Sequence, residues 1–286
     1  MLMGEHAVLQ KKQAISAAVD KRITVHKKIR SDDQIIINSA LGTYNSHVGN
    51  LKPDPRFSFV LACLAHKPSG LELTIESEFS HEVGLGSSAA VCVATLGCLY
   101  GPTITPKDLF DKSIAVVRDV QKIASGADVA ASVFGGIVAY RMDPCTITPL
   151  AKTIPLTLIY SGSKMKTKEV IDKVLATKQK HTALFDALFT TMDMTVDEAK
   201  KAIAEGDLEA LGRLFTIHHG LQEALGTCNL PLAELVHLLR LNPAIYGAKI
   251  SGSGLGDCAI GVGSCTLDSN YKQISVQISQ QGVLFL

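Results

Sequence analysis

The chain has 286 residues, 47% of them apolar, and a net charge of +1. That is enough for one large or two modest cores, and the near-neutral charge and absence of Trp leave neither the basic surface nor the stacking platform of a nucleic-acid binder. No apolar run is long enough to span a bilayer, Glu5 and His6 break the apolar start that a signal peptide needs, and seven scattered cysteines with no CxxC pair fit a reducing cytoplasm.

Along the chain, residues 14–18 and 23–28 read as strands, and residues 31–56 as loop with short strands. Residues 57–66 are an apolar helix candidate, and in 71–79 the alternation of Leu71, Leu73 and Ile75 with polar residues predicts a strand. Next comes Gly84, Leu85, Gly86, Ser87, Ser88 and Ala89, followed by a helix-prone run over 89–99. Glycines let backbone N–H groups approach an anion, serines add hydroxyls, and the helix turns its positive end toward the same point. The loop is therefore a candidate phosphate cradle, although it spells neither GxxxxGK[ST] nor GxGxxG. The competing reading is a strand-to-helix turn with serine N-caps.

Residues 107–122 carry apolar residues at helical spacing. Asp128 opens a short helix over 129–133, Gly135 and Gly136 end it, and residues 137–141 form a strand. Residues 143–155 read as a domain crossing. Beyond it, 156–160 is a buried strand, and 170–179, 183–193, 195–204, 208–225 and 232–241 read as helices. Strands over 248–251, 258–262 and 273–277 complete the chain, with glycine-rich sequence between the first two. The pattern is α/β or α+β in two lobes without an internal repeat.

Four segments in order resemble the signature motifs of the GHMP kinases. Residues 4–9 spell GEHAVL, 84–90 spell GLGSSAA, 125–136 spell SGADVAASVFGG, and 249–261 spell KISGSGLGDCAIG. In the last, the Leu255 and Asp257 positions depart from the family pattern, which has glycine where Asp257 stands. GEHAVL and the helix carrying His218 and His219 are most similar to the mevalonate kinase branch. The resemblance implies an α+β, two-lobed GHMP kinase fold. Residues 1–150 would form a nucleotide-binding lobe like ribosomal protein S5 domain 2, and 151–286 a ferredoxin-like lobe.

It further implies ATP and Mg²⁺ as cofactors and a small alcohol as substrate. Mevalonate phosphorylation is the leading reading. A phosphomevalonate or sugar kinase, or a non-catalytic nucleotide-binding relative, is the alternative. Gly84, Leu85, Gly86, Ser87, Ser88 and Ala89 would hold the phosphates, with Ser88 on the metal, since a hard cation prefers oxygen ligands. Asp128 would face the reacting hydroxyl, to take its proton or to orient it; its bland alternative is an N-cap. Glu5, His6, Thr167 and Gly252 would lie on the substrate side. The alternatives are a structural role for His6, an N-cap for Thr167 and a buried turn for Gly252.

Two family positions are not matched. A lysine expected ahead of the GEH motif would fall before Met1, and Lys11, Lys12 and Lys21 lie on the wrong side of it. A metal-binding glutamate is replaced by Val117, with Asp119 rotated about 200° from it on a helix. His218 and His219, adjacent on a helix, diverge by about 100° and make a poor zinc pair. An apolar helix face is compatible with a homodimer, and the chain is expected in the cytoplasm.

Overall fold

The computed structural model describes residues 1–65, 69–80, 83–150 and 152–286. Three sheets carry the strands. β1 (Gln13–Ala17) pairs antiparallel with β6 (Ile137–Met142), which pairs with β7 (Cys145–Leu150). A second sheet has the order β2 (Ile23–Ile29), β5 (Leu71–Ser77), β3 (Gln34–Ser39), β4 (Gly42–His47), with β3 and β5 parallel. The third, antiparallel throughout, runs β11 (Lys272–Ile274), β8 (Leu156–Tyr160), β10 (Cys258–Val262), β9 (Gly247–Ser251).

The helices of the first lobe are α1 (Ser58–Leu64), α2 (Ser87–Tyr100), α3 (Pro106–Gln121) and α4 (Ala127–Phe134). Those of the second are α5 (Thr167–Lys180), α6 (Thr182–Glu205), α7 (Leu208–Ala224) and α8 (Leu230–Leu241). The helix expected over 57–66 begins at Ser58, and its expected end at His66 lies outside the described residues. The segment expected as a crossing holds β7, so the chain leaves the first sheet after Leu150 and enters the third at Leu156. Among the described residues no helix is long and apolar enough to cross a membrane, and all seven cysteines are unpaired.

One expectation is corrected. Residues 183–193 and 195–204 form a single helix, α6, of 24 residues. No Gly or Pro interrupts the join between them. Phe185, Phe189, Met192, Val196, Ala199 and Ile203 keep one apolar stripe facing inward through the join. Thr195, at the join, is buried and bonds the Met192 carbonyl 2.7 Å away.

The core does not divide cleanly between the lobes. Leu2, Met3, Ile15 and Ile137 from the first pack in one cluster with Leu158, Val196, Phe215 and Ile260 from the second. A further tie comes from the end of the chain. Residues past β11 return to the first lobe: the Gly136 N–H donates to Ser279 (2.7 Å), Ser279 N–H donates to Ala18 (3.0 Å), and Arg22 reaches the Gly282 carbonyl (3.0 Å). This geometry keeps the segments around Gly84, Asp128 and Gly252 on facing walls of one cleft.

Candidate active site

The phosphate-loop candidate begins with two glycines in left-handed backbone, Gly84 (φ +70°) and Gly86 (φ +73°). Gly86 is the residue before α2, and no side chain caps that helix. The serine-cap reading therefore fails, and the N–H groups of Ser87, Ser88 and Ala89 enter the helix without an intrahelical acceptor. Glycine is needed at Gly84 for space as well as for φ, and at Gly86 for φ, a Cβ there being in ordinary contact. A Cβ on Gly84 would lie 2.7 Å from Asp257 Cγ, and one on Gly86 would lie 3.5 Å from Asp128 Cβ and 3.7 Å from its Oδ2.

Asp128 stands in the first turn of α4, whose N-cap is Gly126 in left-handed backbone (φ +97°), again with no side-chain cap bond. The N-cap alternative for Asp128 thus fails too, and its carboxylate is exposed toward the cleft beside Gly86. Thr167 is the first residue of α5, where Lys166 is the N-cap and makes no side-chain bond; Thr167 likewise caps nothing.

These pieces line one cavity of about 180 Å³, together with Glu5, His6, Lys164, Gly252, Ser253 and Asp257. Of the residues singled out from the sequence, Leu85 alone lies elsewhere. It lines a larger, mainly apolar cavity of about 740 Å³ that shares Gly84, Gly86 and Asp128 with the first. Val117 lines the 180 Å³ cavity as a buried apolar wall, whereas Asp119 faces a separate hollow with Pro53 and Asp54.

First-turn residues of three helices, α2, α4 and α5, therefore meet at one hollow. Helix N-termini present unpaired N–H groups and a partial positive charge, an arrangement suited to a polyanion. Two buried oxygens here, Ser253 Oγ and Asp257 Oδ1, have no hydrogen-bond partner among the described residues. Burial pushes the Asp257 carboxyl up, with Asp128 adding to the shift and Lys164 opposing it. Orphaned oxygens, a glycine cradle and three helix ends fit a nucleotide phosphate chain accompanied by a hard cation.

Glu5 and His6 have separate environments. His6, with a positive φ of 59°, donates to the Ser253 carbonyl at 2.8 Å and is held neutral by burial. Glu5 is 2% exposed, and its two oxygens meet Lys249 Nζ at 2.5 Å and His218 Nε2 at 3.2 Å. Burial opposes ionisation of Glu5, but the Lys249 ammonium outweighs it and holds the carboxyl well below the usual range. Lys249, fully buried, also donates to its neighbour Ile250's carbonyl. His218 Nδ1 lies 2.8 Å from Thr195 Oγ1, and Nε2 is within 3.1 Å of the Gly4 N–H. Glu5 with Lys249, and Gly4 with His218, tie β9 and α7 to the first lobe, and Glu5 also lines the 180 Å³ cavity.

Sequence reasoning missed Lys249 and His218 as partners of Glu5. The signal was present in part, because Lys249 opens the last motif in an otherwise apolar strand and a lone buried lysine requires a counter-charge. His219 turns away from this network toward Glu223, 3.4 Å distant.

Comparison with known proteins settles the family. The description "GHMP kinases N terminal domain" matches residues 57–136, and "GHMP kinases C terminal" matches 199–269. The mevalonate kinase of Thermococcus sibiricus is 33% identical over 90% of this chain and 85% of its own length. The chain belongs to the GHMP kinases. The mevalonate kinase of Methanothermobacter thermautotrophicus is 29% identical over 99% of this chain and 96% of its own. The L. major mevalonate kinase crystallised with R-mevalonate superposes with a TM-score of 0.77 at 25% identity, over 93% of this chain and 85% of that one. This GHMP kinase is therefore an ATP-dependent small-molecule kinase with the two-lobed fold of its family.

Proposed function

We propose that this GHMP kinase transfers the γ-phosphoryl group of ATP to the primary hydroxyl of mevalonate, giving 5-phosphomevalonate. The observation that carries the reading is the meeting of three helix N-termini and Asp128 in one cavity. The chain-long likeness to archaeal mevalonate kinases selects the acceptor. Residues 1–150 would carry the nucleotide and 151–286 would close over it.

Phosphoryl transfer needs positioning and charge stabilisation more than covalent help from protein. The N–H groups of Ser87, Ser88 and Ala89 would hold the β- and γ-phosphate oxygens. The Ser88 hydroxyl and the cavity's carboxylate oxygens would hold Mg²⁺, which when bound neutralises charge on the phosphates. Asp128 would accept a hydrogen bond from the acceptor hydroxyl. The new bond joins the acceptor oxygen to the γ-phosphorus, the bond from that phosphorus to the bridging oxygen of ADP breaks, and the hydroxyl proton passes to Asp128 or, through it, to water. His6, Thr167, Lys164 and Gly252 would line the acceptor's path, with Lys164 favouring an anionic acid such as mevalonate.

An ADP-release assay with Mg·ATP against mevalonate, phosphomevalonate, homoserine and galactose tests the proposal. Turnover with mevalonate, reduced about 10²–10⁴-fold in Asp128→Asn at similar nucleotide affinity, is expected. Turnover with another acceptor alone, or ATP binding without any turnover, would overturn the assignment.

A further inference from the structure

We propose that Asp257 is a ligand for the divalent cation at the phosphate site, supplied by the second lobe opposite Asp128. The inference rests on the reading of the site as ATP-binding.

Asp257 stands where the motif pattern has glycine, and it keeps glycine-like backbone, with φ 63°. Left-handed backbone costs a residue with a side chain about 1–2 kcal/mol, aspartate being among the more tolerant types. Its side chain is not turned to solvent: the residue is 7% exposed. Oδ1 is wholly buried and without a hydrogen-bond partner among the described residues. A buried carboxylate oxygen in that state is unstable unless a cation or donor joins it.

The place it occupies says which cation. A Cβ on Gly84 would lie 2.7 Å from Asp257 Cγ and 2.9 Å from Oδ1, so the carboxylate lies against the first glycine of the phosphate loop. Asp128 lies against the second, Gly86, two residues on and so at most about 7 Å away along the chain. Two carboxylates from opposite lobes thus straddle one short loop, and Ser253 Oγ, also buried and unpartnered, lines the same cavity. Phosphates entering here would meet two negative groups on their own loop. Lys164 acts on Asp257 electrostatically, but Oδ1 has no hydrogen-bond partner among the described residues. A small divalent ion with oxygen preference satisfies Oδ1, neutralises both acids and binds phosphate together. Val117, in the same cavity, brings no carboxylate, and Asp119 faces a different hollow.

The test is Mn²⁺ binding followed by electron paramagnetic resonance, with and without a non-hydrolysable ATP analogue, on the full chain, Asp257→Asn and Asp257→Gly. The glycine variant suits the φ at this position and guards against a folding defect. We expect Mn²⁺ in the analogue complex to bind at least about tenfold more weakly in both variants. Metal-free analogue should bind as tightly or more tightly, because a negative charge has left the phosphate loop. A variant that merely loosened the site would weaken both. Unchanged Mn²⁺ affinity in the variants, beside a wild type that binds analogue and metal, overturns this inference alone. A wild type that fails to bind the analogue overturns the ATP reading and this inference with it.

Discussion

Replacing Lys249 with methionine keeps most of the side-chain volume and removes the ammonium 2.5 Å from Glu5 Oε1. Glu5, at 2% exposure, is then left with His218, whose own burial disfavours the charged imidazolium. Breaking one side of a buried ion pair costs about 3–5 kcal/mol, against roughly 5–15 kcal/mol for a whole fold. Lys249→Met should therefore lose about a fifth or more of the stability, read as the urea midpoint at constant slope. Glu5→Gln/Lys249→Met should cost at least about 1 kcal/mol less than the sum of its two single changes, because it removes the stranded charge. A loss below about 1 kcal/mol in Lys249→Met, or strict additivity in the cycle, would refute the view that this pair locks the lobes together.

Acid should expose the same network. The Glu5 carboxyl is held low, so its stabilisation is complete above its unfolded value of 4.5 and fades as pH falls below that value toward the lower folded one. The stability gap between wild type and Glu5→Gln should accordingly narrow in denaturant titrations from pH 6 to pH 3. His219 is held neutral by burial, its pKa lowered to about 4. The unfolded chain thus binds more protons between about pH 6.5 and 4, stability falls through that window, and His219→Gln should flatten the slope. Gly84→Ala would drive a Cβ to within 2.9 Å of three Asp257 atoms in left-handed backbone, and should weaken ATP-analogue affinity in calorimetry far more than Gly101→Ala, which meets nothing within 4 Å.

The candidate site was legible in the sequence because its chemistry demands residue types at short spacing. Gly84 to Ala89 and Asp128 each sit at the start of a helix, and a strand–glycine–helix order can be read within a dozen residues. The network behind it was not legible, because its geometry is long-range. Glu5 meets Lys249 across 244 positions and His218 across 213, and periodicity carries no information at such separations. The two helices expected in place of α6 are one, because the apolar stripe from Phe185 to Ile203 runs on through the join with no Gly or Pro to break it. The hairpin of β3 and β4 was read as loop with short strands, since Gly and polar residues mask strands whose buried faces are Ile35, Ile37 and Tyr44.

The returning tail has a consequence for how the molecule is made. Residues 279–283 reach back to Ala18, Gly136 and Val133, at the base of the helix that carries Asp128. A ribosome delivers them after every signature motif, at roughly 5–20 residues per second. The first lobe, though translated early, waits for this later stretch of polypeptide before the helix carrying Asp128 is buttressed from behind. A nascent chain stalled after Val262 would hold every signature motif and still lack the support that fixes Asp128 in place.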